Sequence, residues 1–223
     1  MTDDYYTSKL SSNKLKQCYE VASPRVKQYL KAEIEHVLSH IRPSDAVLEL
    51  GCGYGRVLKY LVRVSDTVVG IDTSKDSLDL AFHTKPIYDV LQMDARVLGF
   101  CDNSFDKTVC IQNGISAFKI EPRELVEESV RVTRDGGTCL FSTYSDRFWD
   151  HRLEWFVKQS EKNLLGEIDW EQTKNGIIVC KDGFRATTFR EEDFHELVLI
   201  LGLNAKVVEV DDSSLFCEIM VEK

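Results

Sequence analysis

Residues 46–55, AVLELGCGYG, decide the fold. An apolar run over 46–50 ends at Glu49-Leu50, Gly51, Gly53 and Gly55 follow at alternate positions, and RVLKYL then reads as an amphipathic helix. Glycine at such a bend permits positive φ and lets a ligand approach the backbone closely. Working outward, TVVGI (67–71), PIYDVLQM (86–93), KTVCIQ (107–112) and GTCLFST (137–143) are further short runs rich in β-branched residues, separated by longer amphipathic stretches. Alternation of this kind builds βαβ units with right-handed crossovers and a mainly parallel sheet. The tail adds AKVVEV and SSLFCEIMV, joined only by Asp211, Asp212 and Ser213. So short a link forces antiparallel pairing. The expectation is a doubly wound α/β fold: a seven-stranded sheet, the last strand antiparallel, with helices on both faces.

The chain has 223 residues, which fits one domain over 1–223. Residues 1–44 read as an N-terminal helical cap, mainly helix from Leu15 to Ser39, interrupted near Ser23 and Pro24 because proline disfavours a helical residue ahead of it. Residues 45–144 form the core that would hold a cofactor. Residues 145–190 carry an inserted helix and a hairpin turning at Asp182-Gly183, expected as a cover on the substrate side. Residues 191–223 hold the last helix and the two C-terminal strands. Thr188 and Glu191 stand at capping-box spacing and place the start of that helix, with Gly202 as its stop.

With 43% hydrophobic and 29% charged residues the composition is that of a packed globular chain. The formal charge of −9 weighs against a nucleic-acid partner, since such binding relies on Lys and Arg displacing counterions. No apolar run approaches the roughly 18 residues of a spanning helix, and the start, MTDDYYTSKL, is acidic where a signal peptide is basic and then apolar. A cytoplasmic location and no membrane partner are expected. The seven cysteines (Cys18, Cys52, Cys101, Cys110, Cys139, Cys180, Cys217) are odd in number and lack a C-x-x-C pair, so reduced, mostly buried thiols are expected, with no disulfide framework and no metal site.

Asp72 ends the second strand about 20 residues beyond the glycines, the separation at which a carboxylate reaches ribose hydroxyls in this architecture. A nucleoside site follows, and two cofactor classes share it. The dinucleotide fingerprint needs a glycine where Arg56 stands; the third glycine is instead residue 55. The run ELGCGYG (49–55) resembles the first motif of class I S-adenosylmethionine-dependent methyltransferases, acidic-x-G-x-G-x-G. The resemblance continues through LQMDARVLGF (91–100), NSFDKTVCIQNGIS (103–116) and EPRELVEESVRVTRDGGTCLFST (121–143), and covers roughly Asp45 to Phe141 plus the C-terminal strands. It implies strand order 3-2-1-4-5-7-6 and S-adenosylmethionine as cofactor, leaving as S-adenosylhomocysteine. The implied cofactor-binding residues are Glu49, Gly51, Cys52, Gly53, Gly55, Asp72, Thr73, Asp94 facing the adenine amine, Ala95 through its backbone, and Gln112 and Asn113 beside the reacting methyl. Against this, Asp72 and Asp94 could simply cap the helices that follow their strands.

Methyl transfer from a sulfonium is an in-line displacement needing alignment and exclusion of water, so the lack of a catalytic triad is uninformative. Acceptor residues should lie outside the shared core. In YSDRFWDHRLEWFVKQSEKNL (144–164), Phe148 and Trp155 share one helical face, while Trp149 and Phe156 form a second stripe. Tyr19, Tyr144, Arg152 and Trp155 are the expected substrate-binding residues, with Arg152 pairing an acceptor anion and His151 as candidate base. The competing reading pairs Arg152 with a protein group and leaves His151 on the surface. Tyr5 and Tyr6 could join Tyr19 in closing the other side, the default for the first two being an exposed, frayed N-terminus. The resemblance points to methyl transfer onto an O, N or S atom of a small molecule by a monomer or homodimer. The rivals are a regulatory protein that binds S-adenosylmethionine without transferring the methyl group, and a nicotinamide-dependent oxidoreductase.

Overall fold

The computed structural model describes Tyr5, residues 9–84 and residues 89–223; Tyr6 and positions 86–88 of the expected third strand lie outside them. Helices α1 (Ser12–Glu20) and α2 (Pro24–Ser39) precede β1 (Ala46–Leu50), α3 (Leu58–Leu61), β2 (Thr67–Asp72), α4 (Lys75–Thr84) and β3 (Asp89–Gln92). Then come β4 (Phe105–Cys110), α5 (Gly114–Ala117), α6 (Pro122–Val132), β5 (Thr133–Tyr144) and α7 (Trp149–Glu161). The chain closes with the short β6 (Ile178–Val179) and β7 (Arg185–Ala186), α8 (Glu191–Leu201), β8 (Asn204–Val210) and β9 (Ser214–Met220).

Seven strands form one sheet in the order β3-β2-β1-β4-β5-β9-β8, while β6 and β7 pair apart from it. Pairing is parallel from β3 to β5, and β9 runs antiparallel to both β5 and β8. This is the expected order, the small hairpin having taken two numbers. Strand β1 lies between β2 and β4 and is covered on both faces, so Val47 and Leu48 are fully buried. Burial of that kind contributes about 2 kcal/mol per side chain.

On one face α6 and α8 bring Leu125, Val126, Phe194 and Leu197 onto the sheet; on the other α2 and α3 bring Ile34, Val37, Leu58 and Leu61. A third apolar cluster gathers around Tyr144 at the end of β5, where Tyr29, Phe148, Trp155 and Phe184 meet Tyr5 and Cys18. The N-terminal helices and the 145–190 segment therefore build one cover together. Ser23 caps α2, its hydroxyl accepting from Val26 N–H at 3.4 Å, with Pro24 in the first turn, which places the expected interruption between α1 and α2. Among the described residues no helix is long and apolar enough to cross a membrane.

Three boundaries differ from expectation. Strand β4 ends at Cys110 instead of 112, because Gln112 (φ 58°) and Asn113 (φ 62°) adopt left-handed backbone that no strand continues through. Strand β5 starts earlier, at Thr133. Helix α8 is not capped by Thr188: its N-cap is Arg190, whose N–H donates to Asp193 at 2.7 Å, while the Thr188 hydroxyl donates to Gly176 O at 2.9 Å. Asp193→Ala is accordingly expected to cost about 1 kcal/mol in urea unfolding, and Glu191→Ala to stay within about 0.5 kcal/mol of wild type.

Candidate active site

Beyond the carboxyl ends of the parallel strands lies a cavity of about 620 Å3. Its floor is the bend after β1. Cys52 N–H donates to Ile71 O at 2.9 Å, and Gly53 N–H donates to Asp72 Oδ2 at 2.9 Å, so the bend is laced to the end of β2. Gly51 takes φ 71°, and a Cβ added there would meet the Phe118 ring at 2.5 Å. Backbone and ring thus approach as closely as only glycine permits.

Of the residues expected at a cofactor, Glu49, Gly51, Cys52, Gly53, Asp72, Thr73, Asp94, Ala95 and Gln112 all line this cavity. Gly55 does not; at φ 80° it turns the chain, its N–H donating to Cys52 O at 2.9 Å. Asn113 does not either. Its side-chain NH2 donates to Thr187 O and its carbonyl accepts from the Thr143 hydroxyl, both at 2.8 Å, so the amide pins the turn after β4 to the segment ahead of α8.

The two acidic strand ends differ. Asp72 is half-buried and accepts from Gly53 N–H on one oxygen and from Ser74 N–H, at 2.8 Å, on the other. Asp94 also accepts a backbone bond, from Arg96 N–H at 2.9 Å, but its other oxygen is gripped by the Arg96 guanidinium at 2.6 and 3.0 Å. That grip holds the Asp94 carboxyl below its usual range. Asp94 can therefore receive a further donor only on the lone pairs Arg96 leaves.

Deeper in the wall three polar atoms are buried without a hydrogen-bond partner among the described residues: Glu49 Oε2, Arg56 Nη2 and Gln112 Nε2. Burial pushes Glu49 up to about 8, the Arg56 charge opposing the rise. The Arg56 guanidinium stands 4.9 Å from the Tyr19 ring centre, and the Tyr19 hydroxyl donates to Gln112 Oε1 at 2.8 Å. Behind them Glu33 of α2 is fully buried, accepts from the Ser142 hydroxyl at 2.5 Å, and is pushed up to about 7 by burial. Sequence reading missed Glu33, although it shares the helical face of Tyr29, Leu30, Ile34 and Val37, where a carboxylate is the odd member. It also missed Phe118 and Phe184, which line the cavity.

Residues expected at the acceptor divide. Tyr19, Tyr144 and Trp155 line the far side of the cavity, the Trp155 indole N–H donating to Cys18 O at 2.8 Å. Arg152 does not line it. It is 1% exposed, lies 4.2 Å from the Tyr144 ring centre, and donates to Gly176 O at 3.0 Å and to the Thr188 hydroxyl at 2.5 Å. The guanidinium thus clamps the inserted segment to α7. His151 is exposed beside Phe148, away from the cavity, because one helical step turns it outward from the Arg152 face. The hairpin turns at Asp182-Gly183 as expected and rests on Tyr5, whose hydroxyl donates to Asp182 at 2.6 Å.

Two outcomes follow from these geometries. Arg152→Met removes the buried charged donor to Gly176 O and to the Thr188 hydroxyl and is expected to cost about 2–4 kcal/mol in denaturant unfolding, whereas His151→Ala should leave stability within about 0.5 kcal/mol. Glu33 and Glu49 bind protons more tightly folded than unfolded, so the native state holds more protons between the ordinary carboxylate range and about 8. Stability of the ligand-free chain should then fall as pH rises through that window, with a shallower slope in Glu49→Gln, measured by thermal unfolding against pH.

Residues 48–141 match the family model described as a methyltransferase domain. The demethylmenaquinone methyltransferase of Paenarthrobacter aurescens is 32% identical over 105 residues, 47% of this chain and 41% of that protein. An uncharacterized protein of Methanocaldococcus jannaschii is 33% identical over 169 residues, 75% of this chain and 77% of the relative. The chain spans about two fifths of the length of the demethylmenaquinone methyltransferases it matches. Among solved structures, a SAM-dependent methyltransferase of Aquifex aeolicus superposes with TM-score 0.62 at 17% identity, covering 92% of this chain and 97% of that one. The glycine bend, the strand order and these likenesses agree, and the chain belongs to the class I family of S-adenosylmethionine-dependent methyltransferases.

Proposed function

We propose that this chain binds S-adenosylmethionine in the cavity over β1 and β2 and transfers its methyl group to an O, N or S atom of a small molecule. The observation that carries the reading is the pair of unpartnered buried atoms, the acceptor Glu49 Oε2 and the donor Arg56 Nη2, in the wall of one cavity. An ammonium and a carboxylate on one carbon, as in the methionine end of the cofactor, answer both, and a buried polar group left unanswered is costly. Asp72, at the tip of β2 and in the cavity lining, is the acceptor for ribose hydroxyls, and Met93, Ala95 and Phe118 offer an apolar slot for a flat base with Asp94 at its rim.

When bound, S-adenosylmethionine supplies an electrophilic methyl on a sulfonium whose leaving group is a neutral thioether. The chain's own part is placement. Gly51 and Gly53 present backbone, Cys52 and Thr73 line the cavity with them, and Gln112 brings a buried amide NH2 that has no partner among the described residues. Tyr19, Tyr144 and Trp155, with Phe156 and Phe184, wall the acceptor side and exclude water, which suits a flat, largely apolar acceptor. Asn113, Gly55 and Arg152 act as supports, and no role falls to His151. The roughly 300–1,000 Å3 range of small-molecule sites includes this cavity.

The same reading takes the chain as one domain, 1–223. Its 45–144 core holds the cofactor, and residues 1–44 and 145–190 share the cover. It works in the cytoplasm as a monomer or homodimer, without nucleic acid or membrane as partner. A charge of −9 and six buried thiols suit that setting.

The test is calorimetric titration of the full chain with S-adenosylhomocysteine and with NAD. Binding of S-adenosylhomocysteine at one site, weakened about tenfold or more in Asp72→Asn and tightening as pH rises through about 8 while Glu49 ionises, is the expected outcome. Preference for NAD would refute it. Transfer is checked by the appearance of labelled methyl groups in a metabolite pool; binding without any transfer leaves the regulatory protein as the answer.

A further inference from the structure

On the sheet face that α2 covers, the end of α2 meets β9 with His36 and His40 one helical turn apart and Glu218 opposite. The side chains are 17%, 28% and 15% exposed, so all three are withdrawn from bulk water without being sealed off. His36 Nε2 stands 2.9 Å from Glu218 Oε1, and its ring packs on Phe216 at 4.3 Å between centres. His40 Nε2 stands 3.5 Å from Glu218 Oε2. None of the three lines the cavity.

The hydrogen bonds fix which nitrogen of His40 carries the proton. His40 Nδ1 lies 2.9 Å from His36 O, which only accepts, and 3.2 Å from the Ser39 hydroxyl, whose own proton goes to His36 O at 2.7 Å, so Nδ1 is the donor. In the neutral ring Nε2 then presents a lone pair, 3.5 Å from a Glu218 carboxylate oxygen. Two acceptors so close repel unless something positive lies between them, and a cation shared by the three side chains answers that arrangement.

We propose that His36 Nε2, His40 Nε2 and the Glu218 carboxylate form a binding site for a divalent transition cation of the zinc type. Imidazole and carboxylate are the ligands such an ion takes, at about 2.0–2.2 Å, and a tetrahedron of that size has edges of about 3.3 Å. The gaps of 2.9 and 3.5 Å bracket that edge, and all three ligand atoms lie within 4.8 Å of one another. The bond from His40 Nδ1 to the His36 carbonyl is the outer-shell contact that orients a metal-bound imidazole. Lys206, opposite Glu218 in the β8–β9 ladder, is the neighbouring cation that works against the site. Binding at His36 Nε2 takes the neutral tautomer, so the proton now donated from Nε2 to Glu218 is exchanged through solvent for one on Nδ1, and a fourth position is left for water. The ion would staple the end of α2 to β9, stabilising the fold independently of any methyl transfer.

The experiment strips the full chain of metal with a chelator and titrates it with zinc chloride by calorimetry near neutral pH, with thermal unfolding in parallel. Expected are one equivalent bound at about 10 μM or tighter, a raised unfolding temperature, and at least a tenfold loss of affinity in His40→Gln and in Glu218→Gln. Cobalt(II) in place of zinc should give visible ligand-field bands without a thiolate charge-transfer band, and Cys101→Ser, which removes the exposed thiol, should bind as wild type. No saturation below about 100 μM would overturn the site, because a proton would then fill the gap. Affinity unchanged in both His40→Gln and Glu218→Gln, or lost in Cys101→Ser, would overturn it equally.

Discussion

The bend after β1 is held by one carboxylate. Asp72, at the tip of β2, accepts the Gly53 N–H with one oxygen and the Ser74 N–H with the other, joining the glycine loop to the start of α4. Because β1 is paired on both sides and buried on both faces, the chain can leave it only by turning sharply at its carboxyl edge. The turn needs positive φ at Gly51, Gly53 and Gly55, and its N–H groups need an acceptor within reach. Asp72 supplies that acceptor and also lines the cavity. Fold and candidate binding share one side chain, so the capping reading of this residue and the functional one do not exclude each other.

The cover is a second construction laid over the first. Residues from both sides of the core in sequence, Tyr5 and Cys18 on one hand and Trp155 and Phe184 on the other, pack into one apolar cluster around Tyr144. Such a cluster binds a long insertion to the body without the help of the sheet, since apolar burial is roughly proportional to area and indifferent to chain order. Arg152 sets its geometry: a buried guanidinium stacked on Tyr144 and donating to Gly176 and Thr188 fixes where the segment returns to α8. The clamp sits beside Tyr144, one of the aromatic residues that line the cavity.

Buried carboxylates give the cavity its electrostatic character. Glu33 and Glu49 are both pushed upward by burial, and Arg56 partly offsets each. A ligand that brings its own positive charge relieves Glu49, which couples binding to ionisation. Gln112 is held by the Tyr19 hydroxyl and carried on left-handed backbone, in the lining of the same cavity.

By itself the sequence determined the sheet, the bend, Asp72 and the antiparallel closing pair, because those depend on short-range periodicity, on glycine at fixed positions and on a three-residue link. The Asp182-Gly183 turn was legible for the same local reason. Only the tertiary structure decided the rest. It turned Arg152 inward as a clamp and left His151 outside, since both share one helix and their roles depend on what packs against it. It joined Asp94 to Arg96, withdrew Asn113 from the cavity, and moved the helix cap from Thr188 to Arg190, with Asp193 as its acceptor. It also brought Glu33 beneath Gln112 through Ser142, residues 109 and 30 positions apart in the chain. Contacts of that span carry no local signature, because they arise from where the sheet brings distant elements together and not from the order of neighbouring side chains.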